Sequence, residues 1–461
     1  MEKTAVTCVS WVPRGKCRSK PIANEENEED ELKQFHDEYM GGASSSSAKP
    51  AAAATARAVA GDGLEEFNLD KYDDSDDDGG MQLFSVLKTD GELAKERDPY
   101  LTGNPDSESD SEDGQELGPN DQVFIAASCE EEDCNLEMYI YDEDEAGMFV
   151  HHEVMLSAYP LCIEWLGSTA AAKEGSFAAL GLIDHSIQIW DLDRLDPLMP
   201  AQVLGEPTRK SAKGKTKKKK RASAAAAASA EAHAGAVLCL HGSPFNRSVL
   251  VSGSADHTVK VWDICENSCV HVYTHHEDKV QCGKWHPTEQ AVLLSAAFDR
   301  KLALLDVRQP GQVAKVALPA EAESALWSRH KPFECFASAD NGGVICYDVR
   351  KIANKAPEAE SIVWSIQAHD VACTAVQDCP TPNLMVTAGL DGEAKVWDLG
   401  AASPSLVFSK DLQAGPLFAC DAAADAPALM CFGGKCPVIW DLTGERVIAD
   451  TFKIGDPSVG P

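Results

Sequence analysis

Seven times along the chain an apolar, strand-like run ends in an aromatic or large apolar residue followed by Asp. The pairs are Tyr141-Asp142, Trp190-Asp191, Trp262-Asp263, Leu305-Asp306, Tyr347-Asp348, Trp397-Asp398 and Trp440-Asp441, spaced 49, 72, 43, 42, 50 and 43 residues apart. A recurrence every 40–45 residues or so marks one four-stranded blade per repeat, a unit that buries its faces only against its neighbours. The expected fold is therefore all-β, a seven-bladed WD40 β-propeller with a long acidic insertion in blade one and a basic loop insertion. Such a ring is first a docking platform, and a catalytic reading has to be argued against it.

The 461 residues exceed the roughly 300 that one closed propeller needs. The start, Met1-Glu2-Lys3-Thr4-Ala5-Val6, lacks the apolar core of a signal peptide, and no stretch has the length of a charge-free membrane span. The 16 cysteines are accordingly expected as free thiols in a reducing compartment. The chain has no Cys-x-x-Cys, and its close pairs (Cys265/Cys269, Cys129/Cys134, Cys431/Cys436) do not have zinc-site spacing. Cys8, Cys162, Cys239, Cys282, Cys373 and Cys420 fall in or near inner strands, as small buried hydrophobes do. No metal and no cofactor is expected.

The repeats share an inner-strand form, seen in Leu161-Cys162-Ile163-Glu164-Trp165 and Val280-Gln281-Cys282-Gly283-Lys284-Trp285. Val6-Thr7-Cys8-Val9-Ser10-Trp11 has it too, so the N-terminus reads as the inner strand of blade one. The next strands of that blade are expected at Gln122–Ser128 and Leu136–Tyr141. Its fourth strand is expected from Arg446–Phe452, so that both chain ends meet in one blade and leave no long open edge. The organisation then runs as follows: 1–19, first strand; 20–121, acidic disordered insertion; 122–204, rest of blade one and blade two; 205–232, basic and Ala-rich loop; 233–453, remaining blades and ring-closing strand; 454–461, tail.

Between residues 20 and 121 there are 28 acidic and 8 basic residues, a composition that predicts disorder. Two apolar islands within it, around Phe67, Leu69 and Tyr72 and around Tyr100, are candidate docking motifs or contacts with the chain's own propeller. Ser75 precedes Asp76-Asp77-Asp78, and Ser107, Ser109 and Ser111 lie in Ser-Glu-Ser-Asp-Ser-Glu-Asp; all four resemble acidophilic kinase sites. Phosphorylation would add to their pull on Lys/Arg clusters. The 72-residue gap holds Arg209, Lys210, Lys213, Lys215, Lys217, Lys218, Lys219, Lys220 and Arg221. That run reads as a nuclear-import signal, as contact to RNA phosphates, or as a solvated loop. The acidic insertion joins an inner strand to a second strand, and the basic loop joins one blade to the next, so they open on opposite faces. Gly214-Lys215-Thr216 lacks the earlier glycine and the strand of a phosphate loop, and Gly433-Gly434-Lys435 reads as a tight strand turn.

The first strand, the Leu69-Asp70-Lys71-Tyr72-Asp73 island and Asp98-Pro99-Tyr100 resemble the periodic tryptophan protein 1 family. So do Cys134-Asn135-Leu136-Glu137, His151-His152, Leu156-Ser157-Ala158-Tyr159-Pro160-Leu161 and Glu164-Trp165-Leu166, and the resemblance runs nearly end to end. It implies a nuclear and nucleolar factor of ribosome biogenesis, acting in early large-subunit assembly and pre-rRNA processing, with links to chromatin at ribosomal RNA genes. By resemblance to WD40 repeats, structural tetrads map to His233, Ser252, Asp256 and Trp262, and to His369, Thr387, Asp391 and Trp397. Their repetition argues against a Ser-His-Asp hydrolase, whose catalytic set would occur once. The blade ending at Leu305 keeps His276, Ser295 and Asp299 without an indole. The blade ending at Tyr347 has Ala337 and Asn341 in those slots and should rely on packing.

With the acidic insertion and the basic run set aside, the formal net charge of −33 leaves about −22 on the propeller, which repels nucleic acid and attracts basic proteins. The expected partners are pre-ribosomal particle proteins, basic ribosomal proteins, and pre-rRNA reached directly or through them. Neither a membrane nor a small-molecule substrate is expected. The leading reading is a non-enzymatic scaffold. A histone-tail reader at the central opening is the alternative. A cullin-RING ligase substrate receptor is a further one, resting on Leu305-Asp306-Val307-Arg308 and Tyr347-Asp348-Val349-Arg350.

Overall fold

A computed structural model describes residues 4–22, 116–205 and 232–454, apart from loop positions 119, 132, 144–146, 171, 173, 196, 310, 355 and 356. Six four-stranded antiparallel sheets and one of three strands follow each other around a ring. The first strands touch their neighbours from blade to blade and therefore line the axis. They are Thr4–Val12, Pro160–Leu166, Val237–Gly242, Val280–Trp285, Ala322–Trp327, Cys373–Asp378 and Ala419–Ala422. Second and third strands, such as Leu384–Gly389, are buried on both faces, and outer strands such as Ser405–Asp411 are largely exposed.

The inner strands of blades one to six carry a register shift at the same place, between Val6 and Cys8 in blade one and at the matching position in the others. A bulge there adds twist and frees one residue from the ladder. Two of the freed residues bridge to the next blade. Thr7 Oγ1 donates to the Pro160 carbonyl at 2.9 Å, and Thr374 Oγ1 to that of Leu417 at 2.8 Å. The cysteine that follows the bulge in blades one to four is buried, and burial pushes the Cys8 thiol up to about 12.

Blade one corrects the sequence expectation. Its fourth strand is local, Gly147–Leu156, paired with Asp133–Asp142. Arg446–Phe452 is not a strand but a helix, ended by Lys453 at φ 53°. No edge of blade one is left for it to occupy. Ile448 and Phe452, four apart on one helical face, instead pack into the core shared by blades six and seven. Lys410 Nζ holds Glu445 Oε1 at 2.8 Å beside the helix start. The ring therefore closes without a shared strand. Val6, Val9, Trp11, Phe124 and Tyr139 of blade one pack on Leu429 and Cys431 of blade seven. The Val6 amide donates to the Gly434 carbonyl at 2.7 Å, and the Arg14 amide to Asp425 Oδ2 at 2.7 Å.

Hydrogen-bonded tetrads lock two blades from within. Trp262 Nε1 donates to Ser252 Oγ at 2.8 Å, and His233 meets Ser252 Oγ at 2.6 Å and Asp256 Oδ2 at 2.9 Å. In blade six, Trp397 Nε1 lies 3.1 Å from Thr387 Oγ1, with His369 at 2.9 Å from Thr387 Oγ1 and 2.8 Å from Asp391 Oδ2. Burial lowers the pKa of both histidines, so each stays neutral and donates Nδ1–H to its aspartate. Blade four keeps His276, Ser295 and Asp299 in the same array, with His275 as a second partner of Ser295. In blade five, the Tyr347 hydroxyl reaches back to the Ala317 carbonyl instead.

Replacing Thr387 by Val keeps the shape of that site and leaves His369 Nε2 and the Trp397 indole N–H without their partner in a buried place, while His369 Nδ1 keeps Asp391. The expected cost is about 2–4 kcal/mol, the sum of two desolvated groups. A urea midpoint close to that of the unchanged chain would show that the tetrad contributes little.

Candidate protein-docking site

Where the first strands end, the residue preceding the Trp position faces the axis. One residue per blade sits at this level: Ser10, Glu164, His241, Lys284, Leu326, Gln377 and Asp421, by their pairing to the second strands. All seven line one cavity of about 420 Å³ at the end of the channel, with Trp11, Trp165, Trp285 and Trp327 at the next level. This is the face on which the chain leaves the inner strand of blade one toward the 20–121 tract.

Hydrogen bonds cross six of the seven seams here. Glu164 Oε1 accepts from the Gly242 amide at 2.9 Å, and His241 Nδ1 from the Trp285 amide at 3.1 Å. Trp327 Nε1 donates to the Lys284 carbonyl at 3.1 Å. Asp378 Oδ2 accepts from Ser328 Oγ at 3.0 Å and from the Arg329 amide at 2.7 Å. Asp421 joins three blades, accepting from Gln377 Nε2 at 3.2 Å on Oδ1 and from the Trp11 amide at 3.0 Å on Oδ2. The tryptophan rings are wedges between blades. Trp11, Trp285 and Trp327 are buried, and only Trp165 is partly open. They do not form an open aromatic cage.

The charges in the channel constrain one another. Burial pushes the Glu164 carboxyl up to about 6, against the pull of Lys284. Asp421 is also raised by burial, its hydrogen bond from Trp11 and the Lys284 charge working the other way. Burial works to lower the Lys284 pKa, but Glu164 and Asp421 outweigh it and the pKa is raised. Burial and the nearby Lys284 hold His241 well below the usual histidine range, so it is neutral. One ammonium thus sits among carboxylates it does not fully offset.

The tetrad residues lie inside their blades and reach no cavity of this channel. Arg308 and Arg350 are each gripped by their own aspartate. The Nε and Nη2 atoms of Arg308 lie 2.9 and 2.8 Å from Asp306, and those of Arg350 3.0 and 2.8 Å from Asp348. Arg350 also covers the Phe333 ring at 4.5 Å. The basic run from Arg209 to Arg221, the serines at 75, 107, 109 and 111, and the motifs at Phe67, Leu69, Tyr72 and Tyr100 lie outside the described residues. The channel ring is the feature the sequence reading missed. Its signal was present: Glu164 and Lys284 are charged residues in inner strands, each directly before a tryptophan.

A closed ring of antiparallel blades with structural tetrads and a polar channel mouth defines a WD40-repeat scaffold protein, a fold that works through protein–protein contact. The family model for the WD domain, G-beta repeat, matches residues 227–263, 267–306 and 360–398. The chain is 30% identical to periodic tryptophan protein 1 of Saccharomyces cerevisiae, over 85% of this chain and 77% of that one. It is 33% identical to an uncharacterized WD repeat-containing protein of Schizosaccharomyces pombe, over 85% of this chain and 76% of that one. A chain from a crystal structure of the mitotic checkpoint complex shares the fold, with TM-score 0.50 and 16% identity, covering 69% of this chain and 83% of that one. The chain belongs to the periodic tryptophan protein 1 family. Among the described residues no helix is long and apolar enough to cross a membrane.

Proposed function

We propose that this protein is a non-enzymatic scaffold of nucleolar ribosome production, working in early large-subunit assembly and pre-rRNA processing. The observation that carries the reading is the family relationship, which covers 85% of this chain rather than the repeats alone. The physical features agree with it. An acidic ring suits basic ribosomal proteins, and RNA contact fits the 209–221 run or bound proteins better than the propeller walls. In this reading that run also directs nuclear import, and phosphates at Ser75, Ser107, Ser109 and Ser111 strengthen the hold on basic partners. The buried tryptophans at the channel mouth do not favour a methyl-lysine reader, and the self-paired Arg308 and Arg350 do not favour a ligase adaptor contact.

The test is sedimentation of the endogenous protein from nuclear extract, with the same fractions probed for precursor ribosomal RNA. Co-migration with large-subunit precursors, lost on RNA digestion, is expected. A peak that travels with chromatin and carries no precursor RNA would overturn the reading in favour of histone binding.

A further inference from the structure

Among the described residues, blade seven is one strand short. Its third strand, Pro437–Asp441, ends the sheet where the other six blades carry a fourth. The Leu442 amide donates to the Ala428 carbonyl at 2.9 Å, which fixes the alternation along that pair of strands. Trp440 and Val438 then bond inward to Met430 and Phe432. The N–H and C=O of Ile439 and the C=O of Pro437 point outward, and no described residue bonds to them from that side. Pro437 suits such an edge, because its nitrogen, with no hydrogen to give, also faces outward. The residue before the tryptophan is buried in blades two, three and six, at Ile189, Val261 and Val396, whereas Ile439 is only half-buried. The helix Arg446–Phe452 does not cover the edge. Asp441 Oδ1 accepts from the Thr443 amide at 2.8 Å and its hydroxyl at 2.7 Å, in a turn that sends the chain to run beside Ser405–Asp411 of blade six. Residues 455–461, Gly-Asp-Pro-Ser-Val-Gly-Pro, hold two prolines and two glycines, a composition that makes a poor ladder strand.

The facing wall belongs to blade one. Tyr139 and Tyr141 pack on Leu429 and Cys431 of blade seven. Their cross-strand partners Val150 and Met148 share that face, yet are 47% and 41% exposed. Apolar side chains left open on the face turned toward blade seven are what a missing strand would cover. The charge at one end is negative. Burial raises the Tyr141 pKa, and the nearby Asp441, Glu143 and Asp142 add to it. Arg14 offsets one of these by holding Glu143 at 2.7 Å.

We propose that blade seven takes its fourth strand from a partner protein: an extended segment, apolar at alternate residues and basic at its N-terminal end, laid antiparallel along Pro437–Asp441. Fourth strands run antiparallel to the third in the other six blades, so the segment begins beside Asp441. Its backbone bonds to Ile439 and Pro437, and the residue opposite Ile439 and those two away from it face Met148 and Val150. Main-chain bonds supply affinity, and the alternate side chains and the basic end supply selectivity. This deepens the scaffold reading and rests on it, since a basic partner is the kind it calls for.

The test is fluorescence anisotropy of a labelled nonapeptide, Lys-Arg followed by alternating valine and threonine, against the full chain at about 0.15 M salt. Two derivatives separate the ladder from simple attraction. One is N-methylated at the valines, whose amides face the edge when their side chains face blade one; the other is N-methylated at the threonines, whose amides face out. Saturable binding of the parent peptide is expected. Methylation at valine should weaken it by about tenfold or more, as loss of ladder hydrogen bonds does, and methylation at threonine far less. Val150→Ser, at an exposed position, should weaken it severalfold without moving the unfolding midpoint. Hydrogen exchange at the Ile439 amide should be fast in the free chain and slowed by the peptide. Absence of saturable binding overturns the proposal. So does equal weakening by the two methylation patterns, because attraction to the acidic surface then suffices. An Ile439 amide already protected in the free chain overturns it as well, in favour of a second copy if the chain sediments as a dimer and of its own sequence if it is a monomer. A chain that co-sediments with precursor RNA but fails here loses only the fourth-strand proposal. A chain that binds the peptide but sediments with chromatin loses the ribosomal reading instead.

Discussion

Replacing Asp421 by Ala should destabilise the propeller by about 3 kcal/mol and open it at one seam, between blades seven and one. The carboxylate accepts from the Trp11 amide, Gln377 Nε2 and its neighbour's amide at Ala422, so it ties blades six, seven and one together. Alanine leaves these donors without their acceptor. Relief of a buried charge, whose pKa is already raised by burial, returns part of the cost and keeps the figure below that of a broken buried ion pair. Asp421→Asn keeps one carbonyl acceptor and should cost about 1 kcal/mol. The seam is vulnerable because, unlike the other six, it is not crossed by the chain running from one blade into the next. The inner strand of blade one is also joined to its second strand only through more than a hundred residues, Val12 to Gln122. Once released, it must close a long loop to return. Hydrogen exchange should therefore show protection lost first in 4–12 and 419–433, while 280–306 on the far side stays protected. Uniform loss around the ring would mean that closure at Asp421 is no weaker than the other seams.

The blade count was legible because the Trp-Asp repeat is local, and the split of blade one was legible because Val6–Trp11 repeats the inner-strand pattern. The fourth strand of blade one was not. Register shifts between Met138 and Tyr139, where Tyr139 faces Val150 and Met138 faces His152, so His151 stands out of the ladder and breaks the two-residue alternation. The exposed Met148, Phe149 and Val150 obscure it further, since three adjacent apolar residues suggest no single buried face. Arg446–Phe452 is short enough to suit either a strand or a helix. What decides is whether the edge of blade one is free, which is a property of the assembled ring. The channel layer was hidden for a related reason. Each of its residues sits alone in its own strand, and only closure brings Glu164, Lys284 and Asp421 to one level. The tetrads were more legible because their members recur at nearly the same spacing in blades three and six, with His276, Ser295 and Asp299 matching in blade four.

Replacing Gly342 by Ala should be the most damaging small change in the described chain, costing upwards of about 4 kcal/mol. The blade-five turn Asn341-Gly342-Gly343 stands where other blades have their tetrad aspartate. It is tucked under the next blade, the Gly342 carbonyl accepting from the Ala368 amide at 2.9 Å and the His369 amide at 3.1 Å. Gln367 Nε2 reaches the Asn341 and His369 carbonyls at 2.6 and 2.7 Å and pins the same junction. Gly342 has φ +78°, and a Cβ built there runs into the backbone carbonyl oxygens of His369 and Val371. Relief would require moving the segment that carries His369, and with it the tetrad of blade six. Gly15 supplies the control. Its φ is +69°, yet a Cβ there meets nothing within 4 Å. Gly15→Ala should therefore cost only the conformational penalty, about 1–2 kcal/mol. The gap between the two midpoints in urea measures the steric part alone. Equal losses would mean that the turn can shift without disturbing His369, and that blade five is held by its packed core rather than by its grip on its neighbour.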